Sequence, residues 1–202
     1  MTILFLIVAR GGSKRIPGKN LRQIKSISLV GYKCLAAKAS KRCNAVILST
    51  DSPQIADEAR QYGVSVPFIR PEYLATDEAT TEDVVRHAIS ITPPYDAIML
   101  LEPSSPYVRP QDYDAAVEIM EQTGAEFVYG MPWKIGTLYL FKWDYLAKRE
   151  DLYDSPRNTA GYELLPECNM DIDTIQDLHY AEFLAERGYV DLSWTKTTIA
   201  SS

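Results

Sequence analysis

Residues 3–21 read ILFLIVARGGSKRIPGKNL. An unbroken apolar run, residues 3–9, meets two glycines, and Arg10, Lys14, Arg15 and Lys19 then share a loop with Gly11, Gly12, Pro17 and Gly18. A continuous apolar run of this length is the pattern of a strand covered on both faces, as in parallel sheets. Glycine and proline give the following loop a defined shape, and its cations point to an anionic ligand.

Further runs of the same kind follow at residues 45–49 (AVILS), 96–101 (DAIMLL) and 126–130 (EFVYG), with a weaker one at 64–69 (VSVPFI) that contains a proline. Between them lie helical patterns. Residues 52–62 put Ile55, Ala56, Ala59 and Tyr62 on one face, and residues 81–91 do so with Val84, Val85, Ala88 and Ile89. Residues 110–123 begin with a proline suited to a first helical turn, and residues 174–187 open with Thr174 and Asp177 as a capping pair. Residues 130–141 (GMPWKIGTLYLF) read as a turn and one more strand, antiparallel to the rest. The alternation predicts an α/β fold, a mostly parallel sheet flanked by helices, in which ligands sit beyond the carboxyl ends of the strands. Residues 1–190 read as one domain and 191–202 as a loose tail without a period.

The 202 residues suffice for a core without disulfide or metal staples. A net charge of -6 argues against general nucleic-acid binding. Yet six of the 21 cationic residues fall within residues 10–25, a local patch that suits a small anion better than a polyanion. Cys34, Cys43 and Cys168 lack metal-ligand spacing and read as reduced thiols of a cytoplasmic protein. The first run is a poor signal peptide, with no basic region before it, and nothing reaches the roughly 18 apolar residues of a membrane helix. His87 and His179 sit in helical patterns without partners and read as structural or solvent-facing, and Asp51 as the cap of the helix after it.

The loop fits neither common phosphate motif. Five residues separate Gly12 from Gly18, one too many for a P-loop, and Asn20 stands where Ser or Thr is needed. The dinucleotide fingerprint G-x-G-x-x-G is absent. What remains is a loop in which Gly11 and Gly12 admit a close backbone approach, Lys14 and Lys19 supply point charges, and Arg10 forks onto two oxygens. The bland alternative is a solvated basic loop.

ARGGSKRIPGKNL at residues 9–21 resembles the signature loop of the acylneuraminate (sialic acid) cytidylyltransferases. ISLVGYKCLAA from Ile27, VILSTDSPQIADEARQYGVSV from Val46 and FIRPEYLATDEATTEDVV from Phe68 resemble further segments of that family in the same order. So do LLEPSSPYVRPQD from Leu100, beside the family's "LLQPTSPLR", and MDIDTIQDL from Met170, beside its metal-binding "DIDT".

The resemblance implies a Rossmann-like, GT-A-like nucleotidyltransferase fold. It implies attack of a sugar acid's anomeric hydroxyl on the α-phosphorus of CTP, giving a CMP-sugar and pyrophosphate. By the same resemblance Arg10, Ser13, Lys14, Lys19 and Asn20 contact the triphosphate, Arg70 and Ala79 the cytosine, and Thr81 lies near the nucleotide. Arg10, Lys19 and Asp173 become the catalytic group. Asp171 and Asp173, two apart in DID, face the same way if extended and can hold Mg²⁺. An acidic turn capping the next helix is the plainer reading of that pair, and a surface cation that of Arg70.

The acceptor half departs from the family. Glu102 replaces the glutamine of "LLQP", so an anionic sugar would meet a carboxylate. Ile135 stands at an asparagine position, with Tyr139 retained as an acceptor contact. The long arm that pairs subunits in relatives is reduced to MPWK, residues 131–134, although a homodimer remains the implied assembly. Two alternatives therefore stay open: transfer to another acceptor, such as a phosphorylated or phosphonate compound, and a nucleotide-binding protein without transfer activity.

Overall fold

The computed structural model describes residues 1–132, 137–147 and 158–199. In chain order they form β1 (Ile3–Val8), β2 (Gln23–Ile24), β3 (Ile27–Ser28), α1 (Leu29–Ala39), β4 (Ala45–Ser49), α2 (Pro53–Gln61), α3 (Thr81–Ser90) and β5 (Ala97–Leu101). There follow α4 (Pro110–Thr123), β6 (Phe127–Met131), β7 (Tyr139–Lys142), β8 (Thr159–Glu163), α5 (Ile175–Arg187) and α6 (Ser193–Ile199).

Six strands make one sheet in the order β4-β1-β5-β7-β6-β8, and β2 and β3 form a separate hairpin. β1 runs parallel to β4 and β5, and β6 parallel to β8, whereas β7 is antiparallel to both its neighbours. The apolar run at residues 3–7 is fully buried because it has a core on each face. Ile3, Phe5 and Ile7 pack with residues of α1, α4 and α5, while Leu4 and Leu6 pack with Val85 and Ala88 of α3. Strand alternation divides one continuous run between two layers.

The helix ends follow their local chemistry. Ser52 caps α2 by accepting from Ile55 N, Thr174 and Asp177 form a reciprocal capping box on α5, and Pro110 opens α4. Gly31 in α1 lies so close to Tyr62 that a Cβ there would stand 2.8 Å from the ring.

Three expectations need correction. Residues 64–69 contribute only an isolated bridge between Ser65 and Ile47, since Pro67 has no N–H for a ladder. The expected loose tail is a short helix whose Trp194 is buried edge-on against Tyr32, their ring centroids 6.2 Å apart. Helix α2 is capped by Ser52 and not by Asp51. Among the described residues no helix is long and apolar enough to cross a membrane. The three cysteines are free, Cys34 and Cys168 buried and Cys43 partly so.

β1 sits at the point where the order reverses: its connection leads outward to β4, and β5 returns to its other side. The crevice beyond the ends of β1 and β5 is where such a sheet binds ligands.

Candidate active site

A cavity of about 270 Å³ opens in that crevice, lined among others by Arg10, Lys19, Arg70, Ala79, Thr81 and Glu102. A second space of about 270 Å³ continues it along the loop, past Ser13, Lys14, Arg15 and Asp173. Arg10, Lys19, Asn20 and Asp77 line both, so the two are one cleft with a mixed end and a cationic end.

The loop after β1 is built from its own sequence. Ile16 is buried and its carbonyl accepts from Lys19 N at 3.0 Å. Gly18 adopts φ +66, the left-handed conformation that glycine reaches without penalty, and starts a 3-10 turn at Lys19–Leu21. Asn20 is buried and donates from Nδ2 to the Arg10 carbonyl at 2.8 Å, closing the loop on itself. Asp51 accepts from Gly11 N at 2.8 Å, so this carboxylate anchors the loop instead of capping a helix. A Cβ at Gly11 would lie 3.0 Å from Ser52 Cβ, while the space around Gly12 is open.

The loop cations are held by carboxylates. Arg10 Nη2 lies 2.9 Å from Asp77 Oδ1 and its Nη1 donates to the Thr76 carbonyl at 2.9 Å. Lys14 pairs with the other oxygen of Asp77. Arg15 lies 3.1 Å and Lys19 3.7 Å from Asp173, and Lys19 donates to the Ile172 carbonyl at 2.7 Å.

Arg70 is no surface cation. It is 5% exposed, donates from Nη2 and Nε to Ser49 O and Oγ at 2.5 and 3.1 Å, and burial pushes its guanidinium down to about 10. Its backbone N–H donates to Thr50 O, which fixes the chain against the end of β4. A guanidinium this constrained presents a rigid edge to the cavity it lines.

Glu102 follows the last residue of β5 and lines the cavity. Burial, and then the neighbouring Asp171, push its carboxyl up to about 7 against the opposing fields of Lys19 and Lys33. Ile172 is fully buried, and its N–H donates to the Ser104 carbonyl at 2.7 Å, which ties the DID segment to the end of β5. Asp171 and Asp173 flank it partly exposed, Asp171 beside Glu102 and Asp173 at the cationic end. Oxygen donors on both sides of one buried residue suit a hard divalent cation, which completes its shell with water and phosphate oxygens. Among the described residues no group of three His, Cys, Asp or Glu side chains has metal-holding spacing.

The structure thus brings Arg10, Ser13, Lys14, Lys19, Asn20, Arg70, Ala79, Thr81, Glu102 and Asp173 to one cleft. Tyr139 is not among them. It is 1% exposed and stacks on Phe127 at 5.9 Å inside the core, because position 139 faces the α3 layer of the sheet. Of the shortened arm at 131–134, Met131 ends β6, while Trp133 and Lys134, with Ile135 after them, lie outside the described residues. Two carboxylates that hold the loop were missed or misread from sequence: Asp77, whose one signal was its place after the turn at Glu72–Leu74, and Asp51. Lys33, a fully buried lysine of α1 whose Nζ donates to Tyr113 OH at 2.9 Å, stands in a segment the sequence matched only by resemblance, and its burial left no signal there.

Comparison with known proteins agrees with this geometry. A family model described as cytidylyltransferase matches residues 4–158. A CMP-N,N'-diacetyllegionaminic acid synthase of Legionella pneumophila is 43% identical over 139 residues, covering 65% of this chain and 59% of that protein. An N-acylneuraminate cytidylyltransferase A of Danio rerio is 31% identical over 153 residues, 76% of this chain and 34% of that protein. The chain therefore matches less than two thirds of the length of these two relatives. A solved CMP-2-keto-3-deoxy-manno-octonic acid synthetase, complexed with CTP, superposes with a TM-score of 0.77 at 16% identity, over 93% of this chain and 100% of that one. At that identity the superposition shows a shared fold alone. With the family model spanning β1, the loop after it and the cleft residues up to Glu102, this chain belongs to the cytidylyltransferase family.

Proposed function

We propose that the chain transfers CMP from CTP to the anomeric hydroxyl of a sialic-acid-like (nonulosonic) sugar acid, with release of pyrophosphate. The observation that carries this reading is the cleft's polarity. Arg70, Ala79 and Thr81 line one end, Ser13, Lys14 and Arg15 the other, and Arg10 and Lys19 join them. A nucleoside triphosphate has the same polarity, a base at one end and most of its charge at the other. The relatives' names supply the acceptor class.

In this reading Arg70 and the backbone at Ala79 hold the cytosine, and Arg10, Ser13, Lys14, Lys19 and Asn20 hold the phosphates. Gly11 and Gly12 keep the loop's backbone free of side chains where phosphate approaches. Phosphoryl chemistry depends on positioning and charge neutralisation more than on covalent help from the protein. Lys19 reaches both ends of the cleft, so it neutralises charge on the leaving pyrophosphate. Asp171 and Asp173 would hold Mg²⁺, which when bound screens phosphate charge and orients the substrates. That role requires Asp173 to exchange Arg15 and Lys19 for the metal. The three free cysteines and the need for CTP suit a cytoplasmic enzyme.

A second reading, transfer to a different acceptor, is favoured by one observation: the cleft wall carries the carboxyl of Glu102, while Tyr139 is turned into the core. Incubation with CTP, Mg²⁺ and a panel of acids (N-acetylneuraminic, N,N'-diacetyllegionaminic, pseudaminic) followed by mass detection of the CMP-sugar separates the two. A CMP-sugar with any of these acids is expected. CTP binding without any CMP-sugar would pass the case to the second reading.

A further inference from the structure

Asp77 stands where two of the loop's cations converge. One carboxylate oxygen meets Arg10 Nη2 at 2.9 Å and the other meets Lys14 Nζ, so the carboxylate bridges both as an anionic ligand would. It lines both parts of the cleft. Lys14 is otherwise open to water, its side chain 83% exposed, and the Asp77 side chain is 40% exposed. An ion pair this exposed is weak and exchangeable. The hydrogen bond to Lys14 leads the causes that hold the Asp77 carboxyl below its usual range, so it is an anion at neutral pH.

We propose that Asp77 is an internal stand-in for phosphate: it occupies Arg10 and Lys14 in the empty protein, is displaced when a triphosphate binds, and recaptures both cations as pyrophosphate leaves. The inference rests on the proposed function, since it concerns the same cleft. Its consequence is specific. Asp77 opposes any ligand that needs Arg10 and Lys14 and leaves untouched one that does not. The Arg10 contact to the Thr76 carbonyl keeps the guanidinium beside the cleft when the carboxylate swings away. Asp77 is thus a positioning residue that favours turnover over tight product binding.

The test is calorimetric binding of CTP, CMP and inorganic pyrophosphate, with Mg²⁺ present, to the unsubstituted protein, Asp77→Asn, Asp77→Ala and the neighbouring surface control Glu78→Gln. At low salt both Asp77 variants are expected to bind pyrophosphate and CTP about fivefold more tightly, the scale of two weak ion pairs removed from competition. CMP affinity should stay within about twofold, Glu78→Gln, which reaches Lys14 only through its field, should gain less than about twofold, and the gain of the Asp77 variants should shrink as salt is raised. Unchanged or weaker pyrophosphate binding in Asp77→Asn would overturn the proposal and make Asp77 a support of the bound state. Equal gains for CMP, or for Glu78→Gln, would overturn it in favour of a general field effect. If the unsubstituted protein binds neither CTP nor pyrophosphate, the proposed function fails as well.

Discussion

Lys19 donates to the carbonyl of Ile172, 153 positions later in the chain, at 2.7 Å, and lies 3.7 Å from the carboxylate of Asp173. This contact joins the loop after β1 to the acidic segment before α5, so the two sides of the cleft's cationic end are built as one. Lys19→Ala should cost about 1 kcal/mol of folding stability, the worth of one hydrogen bond. It should weaken CTP binding by about thirtyfold or more, because a desolvated phosphate would lose its counter-charge. Calorimetry and urea unfolding on the same samples check the contrast. Equal losses in both would mean that Lys19 is structural.

Arg70 makes the second test of the cleft. Arg70→Lys keeps the charge but loses the fork that holds Ser49 O and Oγ. The unfolding free energy should fall by about 2 kcal/mol, the cost of a buried charged hydrogen bond. CTP affinity should fall with it, while pyrophosphate affinity should not change, since Arg70 lines the mixed end and not the cationic end.

Lys33 gives the stability a pH dependence. Burial pushes its ammonium down to about 7, although Cys168, Asp112 and Glu102 face it with favourable fields and Tyr113 OH accepts from it. In the unfolded chain Lys33 titrates near 10.5, so between pH 7 and that value the unfolded state binds more protons and stability rises with pH. The slope approaches about 1.4 kcal/mol per pH unit for one proton. The usable window is about pH 7 to 8.5, because the thiols of Cys34, Cys43 and Cys168, pushed up by burial, lose stability as pH rises beyond the unfolded thiol range. Urea unfolding at pH 7 and 8.5 should show the rise, and Lys33→Met should remove most of it. A slope that survives Lys33→Met would assign it to another group.

The β2–β3 hairpin turns through Lys25 and Ser26 at φ 48 and φ 67, conformations that cost a residue with a Cβ. Such a turn prefers glycine. Ser26→Gly should therefore raise stability by about 0.5 kcal/mol, read as a small increase in Tm, after the entropy glycine loses on folding. A decrease in Tm would show that the turn is not strained.

What could be read from the chain and what could not divides on physical lines. β1, β4, β5 and β6 were legible because each is a largely apolar run, β1 and β5 almost wholly buried and β4 and β6 over more than half their length. β8 was not: TAGYE lies at the sheet edge, half-buried between exposed ends, and carries no pattern. α6 (SWTKTTI) is mostly polar, and its Trp194 and Thr195 are buried, which no periodicity announces. Within the site, the cations of one contiguous loop were visible as a cluster and are gathered as expected. The counter-charge of Arg10 and Lys14 was not, because Asp77 comes from another loop and meets them only after folding, and Asp51, equally remote, reaches the loop through Gly11 N. Tyr139 was assigned from resemblance, and strand alternation turns it into the core.

The most direct measurement is pyrophosphate release by the purified protein with Mg²⁺ and N,N'-diacetyllegionaminic or N-acetylneuraminic acid, CTP being compared with UTP and GTP. The account predicts release that requires both CTP and a sugar acid, and that falls to background in Asp173→Asn. Release that ignores the base, or that proceeds without the acid, would contradict it.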